Sequence, residues 1–177
     1  MLVVDFGGGT FDVSILKVDN GCFEVIQVKG DPHLGGRDID LVLRKYFAEL
    51  IKQKWDRELD NESAQKLLKM SEELKIASND ETFEEELVNQ RFLIKKRIFR
   101  ILIRHLFSDI NETITINDEK FNELVTPLFN KAIAVIKSAL ECAKIKAENI
   151  NEVNTNLSTY TIYFVMYRFY LLAERRE

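Results

Sequence analysis

The chain has 177 residues, which is enough for one ordinary domain or two small lobes. Hydrophobic residues make up 46% and charged residues 31%, a composition that excludes a disordered chain, and a formal charge of −4 is not typical of a nucleic-acid binder. The two cysteines, Cys22 and Cys142, form no CxxC pattern, so we expect no disulfide framework and a reducing compartment.

No targeting or membrane segment is predicted. The residues after Met1 do not combine a basic start with an apolar core, as a signal peptide does. The most apolar run, residues 160–173, is shorter than a membrane span and contains Arg168.

The first thirty residues predict a three-stranded antiparallel meander. Residues 2–6 form a short apolar run that ends in Asp and glycines, which is typical of a buried strand. Residues 10–18 and 22–29 are rich in β-branched and apolar side chains. The Asp-Asn-Gly sequence at 19–21 predicts the turn between them, because Asn and Gly tolerate positive φ.

Two amphipathic helices are predicted after a loop at residues 30–36. The first begins at Arg37 or Asp38 and runs to about Trp55, and the second begins at residue 61 or 63. The apolar residues on one face of the first helix are Ile39, Leu43, Phe47 and Leu50 or Ile51, and those at helical spacing in the second are Leu67, Met70, Leu74 and Ala77.

The remainder of the chain predicts a strand at 113–116 and two further helices. Asn117 or Asp118 caps a short helix that continues through Leu124. Another helix runs from about 126 to 144, with Pro127 in its first turn, where proline is tolerated.

Two segments differ sharply in composition from their surroundings. Residues 92–107 (FLIKKRIFRILIRHLF) carry Lys and Arg but no acid, which is typical of a membrane-surface or calmodulin-target helix; a packing helix within an insertion is a second interpretation. Residues 154–177 end in an aromatic-rich tail. A third interpretation is that both segments are translated introns, since each follows a Val-Asn pair whose codons can encode the GTNAA of a splice donor.

The most informative segment is VVDFGGGTFDVSIL, residues 3–16. A strand delivers Asp5 to three glycines, and a second strand leaves from Thr10 and carries Asp12. Glycines let backbone N–H groups crowd around an anion, a threonine hydroxyl donates to a terminal phosphate, and a carboxylate holds Mg²⁺ through water. Because a strand follows, the loop is neither a Walker A loop nor a dinucleotide GxGxxG turn. The alternative is a hairpin that only turns the chain, and the second glycine loop, GDPHLGGRDID, disfavours it.

DFGGGTFDVSIL followed by GDPHLGGRDID closely resembles the second phosphate segment of the heat shock protein 70 chaperones, members of the actin-like ATPase superfamily. The resemblance covers residues 1 to about 87 and about 109 to 153. It implies an α/β fold of ribonuclease-H-like type, in which the antiparallel meander is part of one lobe. The implied divisions are a partial α/β subdomain at 1–34 and 115–153, an inserted helical subdomain at 35–114 with an atypical stretch at 88–108, and a tail outside the family at 154–177.

The resemblance also implies roles for single residues. Asp5 and Asp12 would face the metal. The implied nucleotide contacts are Gly7, Gly8, Gly9, Thr10, Gly36 and Arg37 toward the phosphates, and Glu72, Lys75 and Ser78 toward the adenosine. Many relatives have an acidic residue where Arg37 stands. Glu72 and Lys75 are also explained by a solvated helix face with an i,i+3 ion pair.

What the resemblance implies for function is an ATP-binding part of a cytoplasmic chaperone, with ATP or ADP and Mg²⁺ as cofactors. Nucleotide-exchange factors and co-chaperones are the implied partners, and neither nucleic acid nor a transmembrane segment is expected. Two alternatives stay open: a non-catalytic module that binds exchange factors, and a truncated gene-model product without independent activity.

The family's other site elements are not found in this sequence. Its first phosphate loop and catalytic lysine would precede residue 1, and no glycine-rich adenosine segment follows Val153. We therefore expect weak nucleotide binding and hydrolysis near background, because phosphoryl transfer needs charge stabilisation from several sides. We also expect the meander to lack the strand that completes its sheet in the family.

Overall fold

The structure, a computed structural model, describes residues 1–77 and 98–156. Within these ranges it is a mixed α/β fold. The elements in chain order are β1 (Leu2–Phe6), β2 (Phe11–Asp19), β3 (Cys22–Asp31), α1 (Gly36–Trp55), α2 (Asn61–Ala77), β4 (Ile98–Leu102), β5 (Thr113–Asn117), α3 (Asp118–Ala143) and β6 (Val153–Asn156). Short 3₁₀ turns occupy Ile103–His105 and Ala147–Asn149.

The chain divides into two compact units. The first contains residues 1–38 and the described residues from 127 onward, and the second contains residues 39–126. The subdomain boundaries inferred from the sequence stay a prediction. Ser78, the first part of the 88–108 stretch and the tail beyond residue 156 lie outside the described residues.

A four-stranded sheet with the order β3-β2-β1-β6 forms the base of the first unit. β1 and β2 are antiparallel, and so are β2 and β3, whose register shifts between Ile15 and Leu16. Asn20 and Gly21 have φ of 49° and 82° in the turn between β2 and β3. The predicted antiparallel meander and its turn are confirmed.

Strand β6 corrects the expectation that the meander lacks a further strand. It pairs with β1 in parallel, so that Leu2 lies opposite Val153 and Asp5 opposite Asn156. The Leu2 N–H also donates to the Glu152 carbonyl at 2.8 Å. The sequence VNTN has no strand pattern of its own. It is extended because the second edge of β1 offers a row of backbone donors and acceptors.

The core of the first unit lies on one face of this sheet. Alternate side chains of β1 and β2 are buried there, as expected from the two-residue period of a strand. The ring of Phe129 on α3 lies 6.3 Å from that of Phe6, which places this part of α3 on the same face. The buried sheet residues are Leu2, Val4, Phe11, Val13 and Ile15.

In the second unit, α1 buries the four positions that its periodicity predicts: Ile39, Leu43, Phe47 and Ile51. The predicted helix α2 is confirmed, and of its helically spaced apolar residues Leu67 and Leu74 are buried, whereas Met70 is half-buried and Ala77 is exposed. Ser71 is buried instead. Its hydroxyl donates to the Leu67 carbonyl at 2.8 Å, which satisfies the polar group inside the core.

Residues 98–102 of the basic segment form a strand rather than an α-helix, which corrects both helical interpretations there. These residues form β4, antiparallel to β5. Ile101 is buried between the exposed Arg100 and Leu102. This alternation has the two-residue period of a strand. Pairing with β5, whose Ile114 and Ile116 are buried, favours a strand over a helix for these residues.

α3 is one helix where the sequence predicts two. It begins after the cap of Asn117, whose side chain accepts the Lys120 N–H at 2.9 Å, and it continues through Pro127. Proline has no N–H to donate to Glu123, four residues earlier. The helix continues despite this missing hydrogen bond because residues on both sides of Pro127, among them Val125 and Phe129, are buried. Tertiary packing, rather than helix propensity, provides most of the stability of a helix.

Among residues 1–77 and 98–156, none of the helices has the combination of length and apolar composition that crossing a membrane requires.

Candidate phosphate-binding site

The hairpin between β1 and β2 is a tight loop of residues 7–10. The Gly7 N–H donates to the Thr10 carbonyl at 2.8 Å and closes the loop. The Gly7 amide is therefore already occupied. The N–H groups of Gly8, Gly9 and Thr10 have no acceptor among the residues that the structure describes.

Two carbonyl groups of this hairpin are held by the first turn of α1. The Gly36 N–H donates to the Gly7 carbonyl at 3.0 Å, and the Arg37 N–H donates to the Gly8 carbonyl at 2.8 Å. In a trans peptide unit the N–H points opposite to the C=O, and the described chain has no cis peptide. The N–H groups of Gly8 and Gly9 therefore point together, away from the first turn of α1.

The space that a side chain would occupy at Gly8 or Gly9 is open. A Cβ atom built on either residue would meet no described atom within 4 Å, and neither residue has a positive φ. Packing within the described chain therefore does not require glycine at these two positions. Close approach of a ligand to the backbone does require it.

Gly35, in contrast, is required by packing. A Cβ on this residue would lie 2.6 Å from the Gly9 nitrogen and 2.7 Å from the Gly8 carbonyl carbon, closer than real Cβ atoms come. The Asp38 carboxylate accepts the Gly35 N–H at 2.8 Å, and the Asp38 N–H donates to the Gly35 carbonyl at 3.0 Å. This reciprocal pair resembles a capping box and fixes the start of α1 against the hairpin.

Asp5 and Asp12 lie directly opposite each other on β1 and β2, and both are exposed. Like charges in a cross-strand pair destabilise a sheet, so a cation is favoured beside them. Gly30 lies opposite Asp12 on β3, and a Cβ on Gly30 would come within 2.5 Å of Asp12 Oδ1. Glycine at this position leaves room for the carboxylate.

The two carboxylates fit a hydrated Mg²⁺ ion. Residues 1–77 and 98–156 contain no group of three or more His, Cys, Asp or Glu side chains that could hold a metal ion. Mg²⁺ commonly keeps several waters and takes one or two carboxylates together with substrate phosphate oxygens. Asp5 and Asp12 can supply the protein part of such a coordination shell.

Two of the residues predicted to face adenosine, Glu72 and Lys75, lie in the second unit, on α2. The Lys75 ammonium lies 2.8 Å from the carboxylate of Asp40 on α1, and Asp40 is buried. Glu72 is exposed. The carboxylate that contacts the Lys75 ammonium therefore belongs to Asp40 on α1, and not to Glu72, three residues earlier on α2. The roles of Glu72, Lys75 and Ser78 toward adenosine stay predictions.

Sequence reasoning missed the contributions of Gly30, Gly35 and Asp38. The spacing of Asp38, three residues after Gly35, is a local signal of a capping box. The other two depend on how close one backbone or side chain comes to another, through the register of β2 and β3 and through the packing of two loops. No local sequence pattern encodes those distances.

Comparison with known proteins supplies the family. The family model described as Hsp70 protein matches residues 1–155. The chain belongs to the Hsp70 family. Among curated relatives, heat shock 70 kDa protein BIP3 of Oryza sativa subsp. japonica is 33% identical over 153 residues, which are 86% of this Hsp70 chain and 21% of the relative. The chain thus spans about one fifth of that relative's length. The resemblance stated from the sequence is confirmed, and membership of the Hsp70 family supports a chaperone-type nucleotide-binding domain.

Proposed function

We propose that this Hsp70 chain binds the phosphates of an adenine nucleotide, ATP or ADP, at the β1–β2 hairpin. One observation carries the proposal: the N–H groups of Gly8 and Gly9 point the same way and have no acceptor among the described residues, and a Cβ on either residue would meet no described atom within 4 Å. Converging backbone donors of this kind form an anion-binding concavity. Family membership supports a nucleotide as the anion.

Each residue of the hairpin has a separate part in this binding. Gly8 and Gly9 donate backbone hydrogen bonds to phosphate oxygens, and such bonds to a charged acceptor are stronger than neutral ones. The exposed Thr10 hydroxyl donates to the terminal phosphate. Mg²⁺, when bound, would neutralise part of the phosphate charge. Asp5 and Asp12 would hold its water shell.

We infer that this segment by itself hydrolyses ATP near the background rate. The described hairpin supplies donors from one side of the phosphate chain, whereas phosphoryl transfer is catalysed by positioning and charge stabilisation from several sides. The sheet, with an antiparallel meander and a parallel strand beside β1, supports the ribonuclease-H-like fold that the family implies. Cytoplasmic location and binding to exchange factors or co-chaperones stay sequence-based predictions.

Titration calorimetry of the 177-residue chain with Mg·ATP tests the proposal. We expect Thr10→Ala to weaken binding by about 10-fold, the loss of one hydrogen bond to a charged group. We expect Gly8→Ala to weaken it further, because the added methyl group fills the open space without a clash.

Thr113→Ala is the matched control, since Thr113 is an exposed threonine that begins β5 in the other unit. It should bind Mg·ATP like the unaltered chain. Absence of binding by the unaltered chain, or equal affinities for Thr10→Ala and Thr113→Ala, contradicts the proposal.

A further inference from the structure

The hairpin and the start of α1 meet backbone to backbone. Gly35 touches the main chain of Gly8 and Gly9, and the next two amides of the chain donate to hairpin carbonyls at 3.0 and 2.8 Å. No side chain intervenes in this contact. The position of the hairpin peptides is therefore tied to the position of the first turn of α1.

We propose that Gly35 is a positioning residue for the phosphate-binding amides, and that the two hydrogen bonds from α1 to the hairpin strengthen when phosphate binds. This inference rests on the proposed function and deepens it. It assigns a role to the second glycine loop that differs from direct contact with the nucleotide.

Hydrogen bonds continue from the first turn of α1 through two peptide units of the hairpin. The peptide between Gly7 and Gly8 accepts from Gly36 at its oxygen and offers its N–H to the ligand at the other end. The peptide between Gly8 and Gly9 does the same with Arg37. Because each hydrogen bond polarises the next one in such a chain, phosphate at the N–H end strengthens the bond at the carbonyl end.

The N-terminus of α1 adds its partial charge to this contact. The first N–H groups of a helix have no intrahelical acceptor, and they carry partial positive charge. In α1 the N–H groups of Gly36 and Arg37 are satisfied by the hairpin rather than by water. One peptide unit therefore separates the charge of a bound phosphate from the positive end of α1.

Position 35 has no room for a side chain. Any side chain at position 35 would have to displace the main chain of Gly8 and Gly9, since the Cβ distances are 2.6 and 2.7 Å to backbone atoms. A displaced hairpin no longer holds its two free N–H groups in the same direction. Asp38 holds Gly35 through both its N–H and its carbonyl, so the loop cannot easily move to relieve the contact.

Amide hydrogen exchange of the ¹⁵N-labelled 177-residue chain, read by NMR with and without Mg·ATP, tests the inference. We expect exchange at Gly36 and Arg37 to slow by about 2- to 10-fold, as cooperative strengthening of the two bonds predicts. Adenosine, which has no phosphate, should leave these two amides unchanged. Slower exchange at Gly8 and Gly9 without any change at Gly36 and Arg37 would overturn the inference and leave the proposed function standing. No change at Gly8 and Gly9 contradicts both.

Two substitutions of Arg37 distinguish the contribution of its backbone N–H to binding from that of its side chain. Arg37→Pro deletes the N–H that donates to Gly8, at an exposed first-turn position where proline is tolerated, whereas Arg37→Ala keeps this N–H. Both lose the guanidinium group. We expect Arg37→Pro to bind Mg·ATP at least about 5-fold more weakly than Arg37→Ala, since the Gly8–Gly9 peptide loses its anchor. Equal affinities would overturn the positioning role. If Arg37→Pro does not fold, the exchange experiment on the unaltered chain still decides.

Discussion

At the scale of single residues, the site uses glycine for different physical reasons. Gly8 and Gly9 face open space, which suits the approach of a ligand, whereas Gly35 is pressed against their backbone. The same substitution to alanine therefore has different consequences: at Gly8 it obstructs the ligand, and at Gly35 it moves the hairpin. The sequence shows only that all three are glycines.

Asp12→Asn is expected to stabilise the protein in the absence of metal and to weaken its response to Mg²⁺. The substitution removes a like-charge pair between opposite residues of β1 and β2, a repulsion of about 0.2–1 kcal/mol. Thermal unfolding in EDTA should show a higher midpoint for the variant. Adding Mg·ATP should raise the midpoint of the unaltered chain more than that of the variant.

Asp19→Asn is the control, because Asp19 is an exposed aspartate at the end of β2 and lies opposite Cys22 rather than another carboxylate. It should not reproduce the gain in EDTA. A destabilised Asp12→Asn variant in EDTA would show that Asp5 and Asp12 do not repel each other.

Part of the site could be predicted from local sequence. The DFGGGTFD segment specifies strand, loop and strand, and it puts Asp5 and Asp12 at equivalent distances from the loop, so that their cross-strand pairing follows from a regular hairpin. The contact of Gly35 with Gly8 and Gly9 could not be predicted in this way. It depends on the position in space at which α1 begins, and packing of the whole unit sets that position.

At the scale of elements, α2 begins with a charged cap that makes its stability depend on pH. The Asp60 carboxylate accepts the Ser63 N–H at 2.7 Å, and this backbone hydrogen bond holds the pKa of Asp60 below its ordinary value. Because the pKa of Asp60 is lower in the folded chain than in the unfolded chain, its carboxylate stabilises the folded state at pH values above the unfolded-state pKa. The stabilisation is lost as the pH falls through the folded-state pKa.

Asp60→Asn should isolate this effect, because asparagine also caps a helix but does not titrate. At neutral pH we expect the unaltered chain to have a higher unfolding midpoint than this variant. The advantage should shrink as the pH falls below the ordinary Asp pKa of 3.8, and circular dichroism melts over a pH series measure it. A difference that does not change with pH contradicts the assignment.

Pro127→Ala is expected to stabilise α3 by about 1–3 kcal/mol, since proline inside a helix removes a backbone donor and alanine restores it. Urea unfolding followed by circular dichroism measures the gain. Pro32, an exposed loop residue and the other of the chain's 2 prolines, is the matched site. Pro32→Ala should give no gain, and equal effects of the two substitutions would show that the helix does not lose stability at Pro127.

The elements that sequence predicts well are those whose pattern is local. The apolar spacing of Ile39, Leu43 and Phe47 specifies α1, and alternation specifies β2. β4 and β6 were not predicted, because each depends on a partner strand that is distant in sequence. The segment around Arg100 has a helix-like composition, yet pairing with β5 determines its structure.

At the scale of the whole molecule, one surface stands out for its apolar character. Phe23 and Val25 of β3 are 65% and 61% exposed, and Val18 and Val28 are also exposed. β3 is a terminal strand of the described sheet. An exposed apolar edge strand is a site of self-association.

We therefore expect the chain to associate as its concentration rises, and Val25→Lys to reduce this association. Light scattering over a concentration series measures it. Leu41→Lys is the control, since Leu41 is an exposed apolar residue on α1, outside the sheet. Similar effects of the two substitutions would show that overall charge, and not the β3 surface, governs association.

The pairing of β1 with β6 has a consequence for synthesis on the ribosome. The partners of residues 2–5 are residues 153–156, so the first strand leaves the ribosome long before its parallel neighbour exists. At roughly 5–20 residues per second, translation of the intervening chain takes on the order of ten seconds or more. During that interval the edge of β1 that later pairs with β6 has no partner strand. The sheet is completed only after nearly all of the described chain has been made.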